Sequence, residues 1–126
     1  MQLIIFTYYL RYYNFIEGLN IMSPNVQNYL DIQALLKQKR IEIMEIAAKH
    51  GAKNVRIFGS VARGEATAES DIDFLVDYDL EKITPWFPVG LKLEWETLLG
   101  KQVDVATIAM LKPRLRDRIL QEAVNL

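Results

Sequence analysis

Apolar residues change period several times along the chain, and each change marks an element. From Asn25 to His50 they fall at helical spacing, as in Leu35, Leu36, Met44 and Ala47, with charged residues between them; this predicts one long helix. Gly51 supplies its stop as a C-cap. Val55, Ile57 and Phe58 then form a short, partly buried strand that enters a turn at Gly59-Ser60. Ser60 to Gly64 is long enough for one helical turn, and Glu65 to Glu69 reads as a loop. Ile72, Phe74, Val76 and Tyr78 alternate with Asp71, Asp73, Leu75, Asp77 and Asp79, a strand with one apolar and one mostly acidic face. Pro85 and Pro88 break the chain, and a helix resumes over Val89 to Leu99, ending at Gly100. Val103, Val105 and Thr107 make a third strand with Asp104 on its opposite face. Pro113 opens a last helix through Leu115, Ile119, Leu120 and Val124.

The order helix, strand, turn, strand, helix, strand, helix places the chain in the α/β class, with flanking helices on a small sheet that is expected to be mixed. No repeat and no linker interrupt it. A length of 126 residues suits one domain. The chain is 51% hydrophobic, enough to bury a core. It has no cysteine and one histidine, which excludes disulfides, thiolate catalysis, Cys-ligated zinc and a histidine metal cluster. The absence of cysteine fits a reducing compartment, and a cytoplasmic location is expected.

Residues 1–22 read differently from the rest, with Leu3, Ile4, Ile5 and Phe6 followed by Tyr8, Tyr9, Tyr12 and Tyr13. They lack the basic region and small-residue cleavage site of a secretory signal, and the apolar run is shorter than the roughly 20 residues of a membrane span. One reading is an extension that the domain over residues 23–126 can do without. The other is an aromatic segment that packs on a partner or on a second copy.

Net charge is −1, which argues against coating nucleic acid through a broad basic surface. It averages two unlike regions. Between Glu65 and Glu81 the chain carries Glu65, Glu69, Asp71, Asp73, Asp77, Asp79 and Glu81 and no base, whereas Lys112, Arg114, Arg116 and Arg118 crowd the last helix.

Gly59 to Gly64 has the spacing of a Walker A loop, but Glu65 stands where that loop needs lysine, so the P-loop reading fails. A Gly-Ser turn at a strand end remains, whose backbone N–H groups and Ser60 hydroxyl can hold phosphate oxygens. Asp71 and Asp73, two apart on a strand, present carboxylates on one face and repel each other unless a cation lies between them. Oxygen-only ligands favour Mg²⁺ or Mn²⁺. Taken alone, an Asp-x-Asp on an edge strand is more often merely a solvated face, and Asp77 and Asp79 are read that way. Asp104 shifts the balance, because a carboxylate between Val103 and Val105 on a neighbouring strand is costly unless paired or metal-bound. Three carboxylates beside a phosphate-holding turn meet the needs of two-metal phosphoryl chemistry. His50 is read as a helix-end residue rather than a base. Trp86 and Trp95 are candidates for base stacking or, more commonly, for packing.

Gly59-Ser60-Val61-Ala62-Arg63-Gly64, Ser70-Asp71-Ile72-Asp73 and Val103-Asp104-Val105, in that order, resemble the signature of the DNA polymerase beta superfamily of nucleotidyltransferases, and its minimal branch most of all. The resemblance covers roughly residues 30–126. It implies a polymerase-beta-like nucleotidyltransferase fold with ATP as substrate and two Mg²⁺ ions. Asp71 and Asp73 would bind both ions, and Asp104 would bind the catalytic one and help deprotonate the acceptor. Gly59 and Ser60 would contact the terminal phosphates, while Arg63 and Ser70 would touch phosphate or brace the loop; for Arg63 a salt bridge to a nearby acid is the alternative.

Little chain follows Asp104, so the acceptor is expected on another molecule. Minimal-branch proteins resemble the antitoxin half of HEPN-MNT toxin-antitoxin pairs, which implies a HEPN-family toxin as partner and AMP transfer from ATP to a toxin tyrosine. No stable nucleic-acid or membrane binding is expected. Two other readings stay open: transfer to a small acceptor of the aminoglycoside type, and a non-catalytic antitoxin that neutralises by binding.

Overall fold

The structure, a computed structural model of the chain, describes residues 24–126; the Tyr-rich residues 1–22 and their boundary with the domain lie outside the described residues. Helices α1 (Pro24–Gln38) and α2 (Arg40–Lys49) come first. The single helix expected over residues 25–50 is broken at Lys39, whose φ of −99° and ψ of 8° leave helical geometry. The run Lys37-Gln38-Lys39-Arg40 has no apolar side chain to bury, so the stripe is interrupted there. Each half then buries its own residues, Ile32 and Leu36 from α1 and Ile43 and Ala47 from α2.

Strand β1 (Ala52–Phe58) leads into the short helix α3 (Gly59–Arg63). Strand β2 (Ile72–Tyr78), helix α4 (Val89–Leu99), strand β3 (Val103–Ala106), a 3₁₀ turn (Ile108–Met110), helix α5 (Pro113–Glu122) and strand β4 (Val124–Asn125) follow. Among the described residues the strands form one sheet in the order β3-β2-β1-β4. β1 runs antiparallel to β2 and β4, and β2 runs parallel to β3, so the sheet is mixed as expected.

Two boundaries differ from the sequence reading. Val124 was expected inside the last helix, yet that helix ends at Glu122, and Val124 and Asn125 pair with Ile57 and Arg56. They cover an edge of β1 that would otherwise present unpaired backbone groups. Thr107 was expected in the third strand but opens the 3₁₀ turn instead.

The sheet's two faces bury separate cores. Ile72, Phe74 and Val76 pack with Ile43, Leu91, Trp95 and Val103. Trp95 lies against Phe74 at 4.2 Å between ring centroids and donates its indole N–H to the Ile43 carbonyl at 3.2 Å. On the other face Leu75 is buried with Leu111 and Ile119, and Phe58, Ala106 and Leu115 pack around them. α5 thus covers the middle of the acidic face of β2 and leaves Asp73 and Asp77 on either side of Leu75. Asp77 is not simply solvated: it accepts from the Arg56 guanidinium at 2.7 Å and from the Asn54 amide at 2.8 Å. Asp79 caps the following turn, accepting from the Glu81 N–H at 3.2 Å. No helix among the described residues is long and apolar enough to cross a membrane.

Candidate active site

Strand register builds the site. Phe58, the last residue of β1, pairs with Asp73 on β2, and Asp73 pairs with Asp104 on β3. The Gly59-Ser60 turn, Asp73 and Asp104 therefore stand in a row across three strands at one end of the sheet. Asp71 lies just before β2, one residue ahead of its first ladder pair. Gly59 makes the approach possible. Its φ is 74°, and a Cβ at this position would overlap the Asp73 carboxylate, so glycine serves both the left-handed backbone and the close contact. The turn is closed by the Glu65 N–H donating to the Ser60 carbonyl at 2.8 Å, and Gly64 ends α3 at φ 73°.

Burial and then the charges of Asp104 and Asp71 push the Asp73 carboxyl up to about 6; Glu122 adds to this and Arg63 opposes it. The rise is first the cost of burying a carboxylate and second the repulsion of acids brought together without enough positive charge between them. Asp104 is 59% exposed, and the Lys92 ammonium lies 4.0 Å from it. Among the described residues no three carboxylate or imidazole groups close to ligand distance as they stand. The donor set nonetheless fits a hard divalent cation: it is all oxygen, and a cation would offset the burial and repulsion that raise the Asp73 carboxyl.

Most of the remaining residues singled out from the sequence are engaged within the protein; Ser60 and Trp86 are the exceptions. Arg63 donates through Nε to Glu65 at 3.0 Å and through Nη1 to Glu122 at 2.9 Å. The Ser70 hydroxyl braces the 67–70 turn, accepting the Thr67 N–H at 2.8 Å. Among the described residues the Ser60 side chain makes no hydrogen bond within the protein. His50 ends α2 and pairs with Glu94 at 3.0 Å, away from the acids. Trp95 is core, and Trp86 is 77% exposed.

Glu122 was missed. Its carboxylate accepts the Gly59 N–H at 2.7 Å as well as the Arg63 bond. A signal existed in the sequence, since an acid in the last turn of a helix faces the negative end of the helix dipole and needs compensation from elsewhere.

Comparison with known proteins bears on the family and the fold. Residues 31–126 match the family model described as the nucleotidyltransferase domain. A Methanocaldococcus jannaschii protein assigned by name to the protein adenylyltransferases is 49% identical over 84 residues, covering 67% of this chain and 89% of that protein. The protein adenylyltransferase MntA of Thermococcus cleftensis is 33% identical over 94 residues, covering 75% of this chain and 91% of MntA. A solved structure described as a minimal nucleotidyltransferase is 46% identical with a TM-score of 0.64, over 72% of this chain and 92% of that one. A chain in a toxin-antitoxin crystal structure with AMP-PNP shares the fold at 17% identity, with a TM-score of 0.56 over 68% of this chain and 69% of that one. The matched span holds the Gly-Ser turn and all three aspartates, and the chain belongs to the nucleotidyltransferase domain family, in its minimal branch.

Proposed function

We propose that the chain is a Mg²⁺-dependent protein adenylyltransferase acting as an antitoxin: it transfers AMP from ATP to a tyrosine hydroxyl of a HEPN RNase toxin and so silences it. The observation that carries this reading is the row formed by the Gly59-Ser60 turn at the end of β1, Asp73 on β2 and Asp104 on β3, a turn able to hold phosphate beside paired acids. Two relatives named as protein adenylyltransferases and a structural neighbour from a toxin-antitoxin complex with AMP-PNP support the donor and the kind of partner.

Asp71 and Asp73 would hold the two ions, with Asp104 joining at the second. When bound, they neutralise charge on the phosphates and on the attacking oxygen. The Ser60 hydroxyl and the loop amides hold the terminal phosphates. The tyrosyl oxygen attacks the α-phosphorus in line; the new O–P bond forms as the bond to the bridging oxygen breaks, and pyrophosphate leaves. Asp104, the more exposed acid, takes the tyrosyl proton. The added AMP blocks RNA by its bulk and its like charge. An RNase partner and an ATP donor put the reaction in the cytoplasm.

The test is incubation with the purified toxin and ATP labelled on the α-phosphate. The expected result is label on a toxin tyrosine, loss of RNase activity, and loss of both effects with EDTA or in an Asp71→Ala, Asp73→Ala double variant. If the double variant neutralises the toxin at equal dose and the wild type leaves no adduct, a binding-only antitoxin is the answer. Label recovered on an aminoglycoside and not on the toxin moves the acceptor to a small molecule.

A further inference from the structure

Glu122 holds two donors at the edge of the proposed nucleotide site. One carboxylate oxygen takes the Gly59 N–H at 2.7 Å and the other takes Arg63 Nη1 at 2.9 Å, with only 12% of the side chain exposed. An anion bridging a loop amide and an arginine has the chemistry of a bound phosphate. We propose that Glu122 is a positioning residue that occupies these donors in place of phosphate, so that nucleotide enters by displacing its carboxylate. This rests on the nucleotide-transfer reading above.

Three observations carry it. Glu122 stays charged: burial pulls its carboxyl upward, but the Arg63 and Gly59 hydrogen bonds and the charges of Arg63 and Arg118 outweigh burial and leave it below the usual carboxylate range. It also adds a fourth negative charge beside Asp73 and its neighbouring acids. Asp71, Asp73 and Asp104 can each be neutralised by a cation, whereas Glu122 meets only donors that an entering triphosphate would also claim. Finally, the backbone around it is tied down. The Ala123 N–H bonds to the Ile119 carbonyl, Val124 and Asn125 pair with β1, and the Leu126 N–H bonds to the Val55 carbonyl at 3.2 Å. Exchange is therefore a side-chain rotation, with Arg63 still anchored to Glu65 through Nε.

The test titrates wild type, Glu122→Gln and Glu122→Asp with Mg·AMP-PNP by calorimetry and then measures transfer kinetics. Glutamine keeps an oxygen for the Gly59 N–H but drops the charge, and aspartate is one methylene too short to span both donors. Both are expected to bind about tenfold more tightly, within the usual range of coupling between two binding events. KM for ATP should fall with kcat unchanged, while the melting temperature drops. A purely structural brace would lower the melting temperature and leave affinity unchanged. That result, or weaker binding in both variants, overturns the proposal even though wild type binds nucleotide. If neither wild type nor variants bind, the nucleotide reading itself falls and this inference falls with it.

Discussion

Replacing Asp73 with asparagine should stabilise the metal-free protein while abolishing its chemistry. A carboxyl moved from its ordinary 3.8 to about 6 costs about 3 kcal/mol when ionised, at about 1.4 kcal/mol for each tenfold change. Asp73 is partly exposed, so solvent screening reduces this to about 1–2 kcal/mol. Because the folded state holds this proton more tightly than the unfolded one, stability is full below about pH 4 and is lost as pH rises through about 6. The asparagine side chain keeps the shape and cannot ionise. Urea unfolding of both proteins in EDTA should therefore show the Asp73→Asn variant about 1–2 kcal/mol more stable at pH 8 and the gap closed near pH 4. Glu94 and Glu122, whose carboxyls are lowered, act with the opposite sign in the acid range. Glu94 is common to both proteins and cancels in the difference, while Glu122 enters it only through its charge coupling to Asp73. Mg²⁺ should stabilise the wild type more than the variant. Equal stability at pH 8, or a gap that does not narrow on acidification, would refute the account of Asp73 as an acid held against its neighbours.

Gly59→Ala forces a side chain into a left-handed backbone, at about 1–2 kcal/mol, and into the Asp73 carboxylate besides; a lowered urea midpoint and lost nucleotide binding are expected together. The two tryptophans should part company. Trp95→Ala empties a fully buried site and should cost about 3–5 kcal/mol, whereas Trp86→Ala should stay within about 0.5 kcal/mol. Arg56, 13% exposed, and Asp77 form a partly buried pair across β1 and β2. A double-mutant cycle with Arg56→Met and Asp77→Asn should return a coupling of about 1 kcal/mol in urea unfolding, and none would mean that Asn54 alone satisfies the acid.

How much of the site could be read from the chain depends on how far each residue's partners lie along it. The alternation through Ile72, Phe74 and Val76 is local, so the apolar face of β2 and the acids opposite it were legible. The same holds for the Gly-Ser turn, where glycine follows a β-rich run. That Asp73 and Asp104 would be neighbours needed the added assumption that β2 and β3 pair, which a short strand beginning Val-Asp-Val suggests without specifying register. The two-residue strand β4 carries no periodicity at all, and what makes it a strand is the open edge of β1. Glu122 is the extreme case, since its partners Gly59 and Arg63 lie 63 and 59 positions away. A motif search therefore finds the donors of the loop but not what fills them. The electrostatics of the site follow from that gap: Glu122 lies close enough to help raise the Asp73 carboxyl. A relative with the same Gly-Ser and Asp-x-Asp residues and a neutral residue at this position should hold Asp73 at a lower pKa and leave the loop open to phosphate.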